Sequence, residues 1–82
     1  MKAGDKVTYI PFRGCSVEQM ENGVIKRLTD DEQGAFVVYN CNGEWDKIED
    51  YTAANTNFRN LLPDWTEGAR NRKFTTDLNK EK

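Results

Sequence analysis

The longest uninterrupted apolar run in the chain extends only from Ala35 to Tyr39. Its sequence, AFVVY, is rich in β-branched and aromatic residues, which favours a short strand covered on both faces. A membrane-spanning helix needs about 20 apolar residues, and the N-terminus has no apolar stretch typical of a signal peptide. The run therefore predicts the central strand of a small all-β core. The short run and the N-terminal sequence together lead us to expect a cytoplasmic protein.

Two further strand-like segments precede this run. The first, DKVTYIPF at residues 5–12, alternates apolar and polar residues with the period of two that marks a half-buried strand. The second, GVIKRL, occupies residues 23–28. Between them, Ser16 and Gln19 have the spacing of a capping box, which predicts a short helical turn.

The segment after the central run predicts a hairpin. Asn42 and Gly43 form the dipeptide that a type I′ turn prefers, because both turn residues need positive φ. The chain is then expected to fold straight back along the central strand. A fourth strand is therefore predicted within residues 45–53.

A helical turn and a closing strand are the last predicted elements. Asn55 or Thr56 can cap the turn by accepting a hydrogen bond from a main-chain amide two or three residues on. LLPDW, at residues 61–65, predicts a short strand that is limited by Pro63, since proline cannot donate to a ladder. Residues 66–82 are polar, and we expect a flexible tail or a loosely docked helix there.

These elements predict one small all-β domain. With 37% apolar and 32% charged residues among 82, the chain has the balance of a single globular unit. About five short antiparallel strands, with one helical turn before the last strand, protect their edges best in a closed or nearly closed barrel. The barrel is expected over residues 1–65.

The order of these pieces resembles that of the SH3-like barrels, in particular the Tudor and KOW members. The segments that carry the resemblance are KAGDKVTY, NGVIKRL, AFVVYN and NTNFRNLLP. A narrower resemblance, on YIP, FVVYN and YTAA in this order, is to short uncharacterised bacterial and phage proteins. The first resemblance implies a Tudor/KOW-like fold, and the second suggests a bacterial or phage origin.

The residue inventory argues against an enzyme. The chain has no histidine, which removes the commonest general base and the Ser-His and Cys-His nucleophile pairs. Cys15 and Cys41 alone cannot complete a zinc site; we expect them to be reduced, and whether they pair in an oxidising compartment stays open. Asp30 and Asp31 are interpreted as part of a solvated turn. The sequence predicts a noncatalytic protein without a metal or other cofactor.

Aromatic and acidic residues mixed within residues 45–53 indicate a binding surface. Alternation along the expected strand would place one set on the same face: Trp45, Lys47, Glu49 and Tyr51. Aromatic rings supply contact area and carboxylates favour cationic partners, although these rings could also simply cover the barrel end. We predict a protein or peptide partner, basic in character. The predicted partner-binding residues are Trp45, Tyr51, Glu49, Tyr39 and Asp46.

The Tudor resemblance adds an implication about one of these residues. Tudor domains typically bind methylated lysine or arginine in an aromatic cage, whose ring faces attract a cation. Tyr39 stands where the third strand of such a domain ends in a cage tyrosine. Asn42 stands where the second aromatic residue is expected, so Trp45 and Tyr51 would have to supply the other walls.

Two alternative functions follow from the distribution of charge. Residues 1–65 hold seven basic and eleven acidic side chains, a net charge of −4, whereas residues 66–82 hold five and three, a net charge of +2. The KOW resemblance and the basic tail, with Arg70, Arg72 and Lys73, imply a nucleic-acid-binding module. The acidic body instead suggests a phage-type inhibitor that covers a basic groove on a host nucleic-acid enzyme. We expect a monomer or a weak dimer.

Overall fold

The computed structural model of the protein describes residues 1–41 and 43–69. They form an all-β domain with a five-stranded antiparallel sheet, as predicted. The strands are β1 (Lys6–Tyr9), β2 (Glu21–Leu28), β3 (Gly34–Val38), β4 (Ala54–Asn57) and β5 (Leu61–Pro63). The helical segments among the described residues are three 3-10 helices: η1 (Val17–Gln19), η2 (Trp45–Asp50) and η3 (Phe58–Asn60).

The strands are arranged in the order β4-β3-β2-β1-β5. η3 lies immediately before β5, which confirms the predicted helical turn before the last strand. Within the part of the chain that the structure describes, β4 and β5 do not pair with each other, so the sheet is not closed into a barrel. β4 and β5 are therefore the two edges.

The capping box and the polar turn predicted from the sequence both form. The Ser16 amide donates to Oε1 of Gln19 at 3.0 Å, at the start of η1. Between β2 and β3, the Asp31 carboxylate accepts from the Thr29 hydroxyl at 2.6 Å and from the Gln33 amide at 3.0 Å. These two hydrogen bonds lower the pKa of Asp31 below its usual range, so this turn is held by its own side chains.

One face of the sheet carries the main core. Its fully buried residues come from every strand except β4: Val7, Ile25, Ala35, Val37 and Leu61. Four half-buried residues pack around them: Tyr9, Leu28, Tyr39 and Phe58. Gly23 permits this packing, because a Cβ there would lie 2.7 Å from Val37 Cγ1 and 2.8 Å from Tyr39 Cδ1.

The opposite face is covered by the C-terminal segment, residues 64–69. The Thr66 amide donates to Asn22 Oδ1 at 3.0 Å, and the Asn22 side-chain amide donates to the Thr66 carbonyl at 3.2 Å. The Thr8 hydroxyl lies 2.8 Å from the Asp64 carbonyl and 2.9 Å from Asn22 Oδ1. Because Thr8 and Asn22 are buried, these bonds satisfy polar groups that would otherwise be costly.

The predicted hairpin after β3 is wrong. Residues 45–50 form η2 and not a strand, and the fourth strand begins only at Ala54. Gly43 has a φ of 81°, but it is followed by η2 and a short loop before β4, and it does not form a two-residue turn between paired strands. The predicted cap, Asn55 or Thr56, is also wrong. The cap of η3 is Asn57, whose side chain accepts from the Arg59 amide at 2.9 Å.

Candidate functional site

Burial repeats with a period of three residues in the segment predicted to bind a partner, residues 45–51. Trp45, Ile48 and Tyr51 are half-buried, while every residue between them is exposed. A 3-10 helix has three residues per turn, so these three side chains face the protein even though η2 is kinked at Lys47. The predicted common face of Trp45, Lys47, Glu49 and Tyr51 is therefore wrong, because it assumed the period of two of a strand.

Trp45 packs against Trp65 of the C-terminal segment. The two ring centroids are 5.2 Å apart at an interplanar angle of 64°, an edge-to-face arrangement. Nε1 of Trp65 donates to the Gly23 carbonyl at 2.7 Å, and Nζ of Lys6 lies 4.7 Å from the Trp65 ring centroid. This contact ties η2 to the sheet through the C-terminal segment.

Tyr51 is also engaged within the protein. Its hydroxyl donates to the Glu44 carboxylate, and this hydrogen bond raises the pKa of Tyr51 to about 12. Nζ of Lys26 donates to the Tyr51 carbonyl at 2.9 Å. The two aromatic residues at the ends of η2 thus hold the segment in place.

The carboxylates around η2 point outward and form what we call the acidic turn: Glu44, Asp46, Glu49 and Asp50. All four are exposed, and Lys47 is the one basic residue between them. Across residues 1–41 and 43–69, the ion pair that forms is Lys2 with Asp5, at 3.2 Å. The acidic turn therefore presents negative charge without a salt bridge to any described residue.

Tyr39 lies on the other side of the sheet, paired with Tyr9. Their ring centroids are 6.0 Å apart at 69°. The Tyr39 hydroxyl hydrogen-bonds to Oγ1 of Thr56 at 3.0 Å. Burial, with a smaller contribution from the charge of Glu21, raises the pKa of Tyr39 to about 12, so this hydroxyl stays protonated at neutral pH.

Two adjoining hollows of about 340 and 320 Å³ extend from this tyrosine pair, and we call them together the tyrosine groove. They share Glu21, Tyr39 and Ala54. The first is also lined by Tyr9, Asn55, Thr56, Asn57 and Asn60, and the second by Val37, Asn40, Thr52 and Ala53. The groove ends beside residues 52–53, which are separated from the acidic turn in the chain by Tyr51.

A third hollow of about 460 Å³ lies on the opposite face, next to β4. Here the Arg27 guanidinium lies 4.1 Å from the Phe36 ring centroid. Asp30, Asp31, Asn55 and Asn57 are also in its lining, together with Thr29, Gln33 and Gly34. We call it the outer hollow.

The sequence pointed to Tyr39 but missed the residues around it. Tyr9 and Glu21 are register partners in the β1–β2 pair, and neither stands in a motif that would single it out. Of the predicted partner-binding residues, Tyr39 lines the groove, Glu49 and Asp46 belong to the acidic turn, and Trp45 and Tyr51 make internal contacts. Arg70, Arg72 and Lys73 of the nucleic-acid alternative lie outside the described residues.

In residues 1–41 and 43–69, no three of the Cys, Asp and Glu side chains come together as a metal site. Cys15 and Cys41 are both free thiols, and burial raises the pKa of Cys41. None of the helical segments in these ranges has the length and apolar character of a membrane span.

Comparison with protein-family models, curated proteins and solved structures gave no match to this chain.

Proposed function

We propose that this protein is a noncatalytic, cytoplasmic SH3-like module that binds a basic, extended peptide segment of a partner protein. The observation that carries the proposal is the tyrosine groove, in which the edge-to-face pair of Tyr9 and Tyr39 lies beside the Glu21 carboxylate. Electron-rich ring faces and a nearby carboxylate both favour a cationic side chain. The strand order, with one helical turn before the last strand, supports the SH3-like relationship.

The acidic turn supports the same assignment. Exposed carboxylates on a protein surface attract a basic partner and speed its association, an effect that weakens as salt rises. In the chain, Asp50 is two positions before Thr52, which lines the end of the groove, and Glu49 is three positions before it. The acidic turn would thus orient the partner, and the tyrosine groove would hold it.

A fluorescently labelled octalysine peptide tests the proposal, with an octaglutamate peptide as the matched control. We expect binding of octalysine at low salt that weakens on adding salt, and no binding of octaglutamate. Replacing Glu49 and Asp50 by Gln and Asn should weaken octalysine binding several-fold. The matched pair Asp64→Asn and Glu67→Gln removes the same charge from the C-terminal segment and should have little effect.

A second pair of variants tests the groove itself. Ala54 is exposed and common to both parts of the groove, so Ala54→Arg should abolish octalysine binding by placing a cation there. Ala54→Glu occupies the same space with the opposite charge and should retain binding. Equal affinity of both variants for octalysine would contradict the proposal, once circular dichroism shows that both fold.

A further inference from the structure

The main-chain groups of β4 alternate between the sheet and its open edge. The Phe58 amide donates to the Gln33 carbonyl at 3.0 Å, and the register continues without a shift from Asn57 to Ala54. In an antiparallel ladder, every second pair exchanges hydrogen bonds. Ala54 and Thr56 therefore bond to β3, whereas the N–H and C=O of Asn55 and the N–H of Asn57 face the open edge.

This edge lacks the usual protection against strand pairing. Edge strands are often blocked by proline, lysine or a bulge. Among the described edges, β5 ends in Pro63, while β4 has the sequence Ala-Asn-Thr-Asn and no register shift. β4 is thus open to another strand in a way that β5 is not.

The hollows on both faces adjoin this same edge. Ala54 and Thr56 line the tyrosine groove on one face, while Asn55 and Asn57 also line the outer hollow on the other. Successive side chains of a strand point to opposite faces. A strand added beside β4 would therefore direct one set of its side chains to the tyrosine groove and the alternate set to the outer hollow.

We infer that the basic segment binds as an added β-strand on the open edge of β4, through main-chain hydrogen bonds to Asn55 and Asn57. This inference rests on the proposed function and specifies the mode of binding and the sequence of the ligand. Lysine or arginine at every second position faces Tyr39 and Glu21 in the tyrosine groove. The intervening positions are apolar or small, because they face the half-buried Phe36 ring in the outer hollow.

Charge complementarity favours a basic peptide over a second copy of this chain. Residues 1–65 have a net charge of −4, so two copies paired through β4 would bring like charges together. A basic strand is attracted by the same charges. Strand addition of this kind takes affinity from main-chain bonds and specificity from alternate side chains.

Two synthetic peptides of equal composition test the inference on the full chain. Ac-GKVKVKVKG-NH2 has alternating lysines, and Ac-GKKKKVVVG-NH2 has them in a block. We expect the alternating peptide to bind at least about tenfold more tightly, since only its side chains match both faces. N-methylation of one alternate set of its amides should abolish binding, and methylation of the other set should not, because only one set faces β4.

Amide hydrogen exchange locates the bound peptide. Saturation with the alternating peptide should slow exchange at Asn55 and Asn57 at least about tenfold and leave Ala54 and Thr56, which already bond to β3, unchanged. Equal binding of both peptides without added protection at Asn55 and Asn57 would overturn the strand mode and leave the proposed function standing. Failure of both peptides and of octalysine to bind would remove the proposed function itself. Concentration-dependent dimers that protect Asn55 and Asn57 without peptide would identify a second copy as the occupant and overturn the inference.

Discussion

Trp65 joins the C-terminal segment to the sheet through both its ring and its indole N–H. The register pairs Gly23 with Val7 in the β1–β2 ladder, so its carbonyl keeps a main-chain donor and the indole N–H supplies a second hydrogen bond to it. We expect Trp65→Phe to lower the free energy of unfolding by about 0.5–1.5 kcal/mol, the net contribution of one hydrogen bond. Trp45→Phe keeps a ring for the edge-to-face contact and breaks no hydrogen bond of this kind, so it should cost less. Urea unfolding followed by circular dichroism compares the two, and equal losses would contradict this role of the indole N–H.

Tyr39 should make stability depend on pH in the alkaline range. Burial raises its pKa from 10.0 to about 12, so the folded protein holds this proton more tightly than the unfolded chain does. Its contribution is therefore complete below pH 10 and is lost as the pH rises toward 12. We expect a loss of at most about 2–3 kcal/mol over that range.

Urea unfolding across this pH range, in wild type and in Tyr39→Phe, measures that contribution. The fall in stability should be smaller in the variant, because Phe has no proton to lose. Parallel curves for the two proteins would show that another group causes the alkaline loss.

At the residue scale, the sequence predicted single candidates but not their neighbours. Tyr39 was a candidate through the Tudor resemblance, which implies a cage tyrosine at the end of the third strand, and the structure places it in the groove wall. Tyr9 and Glu21 reach the same place because they are paired in register between β1 and β2. Register is set by the whole sheet and by turn geometry, so no local pattern identifies this grouping.

At the element scale, η2 gives a direct test of the period of three. Ile48 is half-buried between Trp45 and Tyr51, whereas Lys47 and Glu49 are exposed. We expect Ile48→Ala to lower the free energy of unfolding by about 1–2 kcal/mol, less than for a fully buried residue. Lys47→Ala and Glu49→Ala should each change it by less than about 0.5 kcal/mol. Thermal unfolding of the three variants decides, and a larger loss for Lys47→Ala than for Ile48→Ala would contradict the 3-10 geometry.

The elements predicted correctly are those with strong local signals. β1, β2 and β3 are rich in β-branched residues, and β5 follows a capped turn and ends at Pro63. β4 has the sequence Ala-Asn-Thr-Asn, which is poor in strand-forming residues. Residues 45–51 fit a period of two and a period of three equally well, because Trp45 and Tyr51 are six positions apart. The Asn-Gly dipeptide then favoured the wrong choice.

On the scale of the whole molecule, the C-terminal segment completes the fold. It covers Thr8 and Asn22 and contributes Trp65 to the contact with η2. We expect a chain that ends at Pro63 to be less stable, by at least about 2 kcal/mol, than one that ends at Ala69, because buried polar groups lose their partners. Urea unfolding of the two chains measures the difference. Similar midpoints would show that the segment is only loosely attached.

The sequence predicted the order of the strands and of the helical turn, but it also predicted a closed or nearly closed barrel, and among the described residues the sheet is not closed. Closure depends on a pairing between β4 and β5, which η3 connects with a single turn. Although the two strands are close in the chain, whether they pair depends on how the whole sheet twists, which neither strand encodes by itself. The strand count and the position of the helical turn come from local patterns, which explains why these were predictable and the open edge was not.

Because Cys41 is buried at the entry to η2, the reactivity of its thiol should report local opening of this part of the chain. Only 1% of this residue is exposed, and the Glu44 amide donates to its carbonyl at 2.8 Å, at the entry to η2. Modification by a thiol reagent requires access to the sulfur, so Cys41 should react only when this region opens. Cys15 is half-buried in the loop before η1 and serves as an internal reference for direct labelling. The ratio of the modification rate of Cys41 to that of Cys15 would then report how often the entry to the acidic turn opens. A lower ratio with a partner bound would show that binding suppresses this opening.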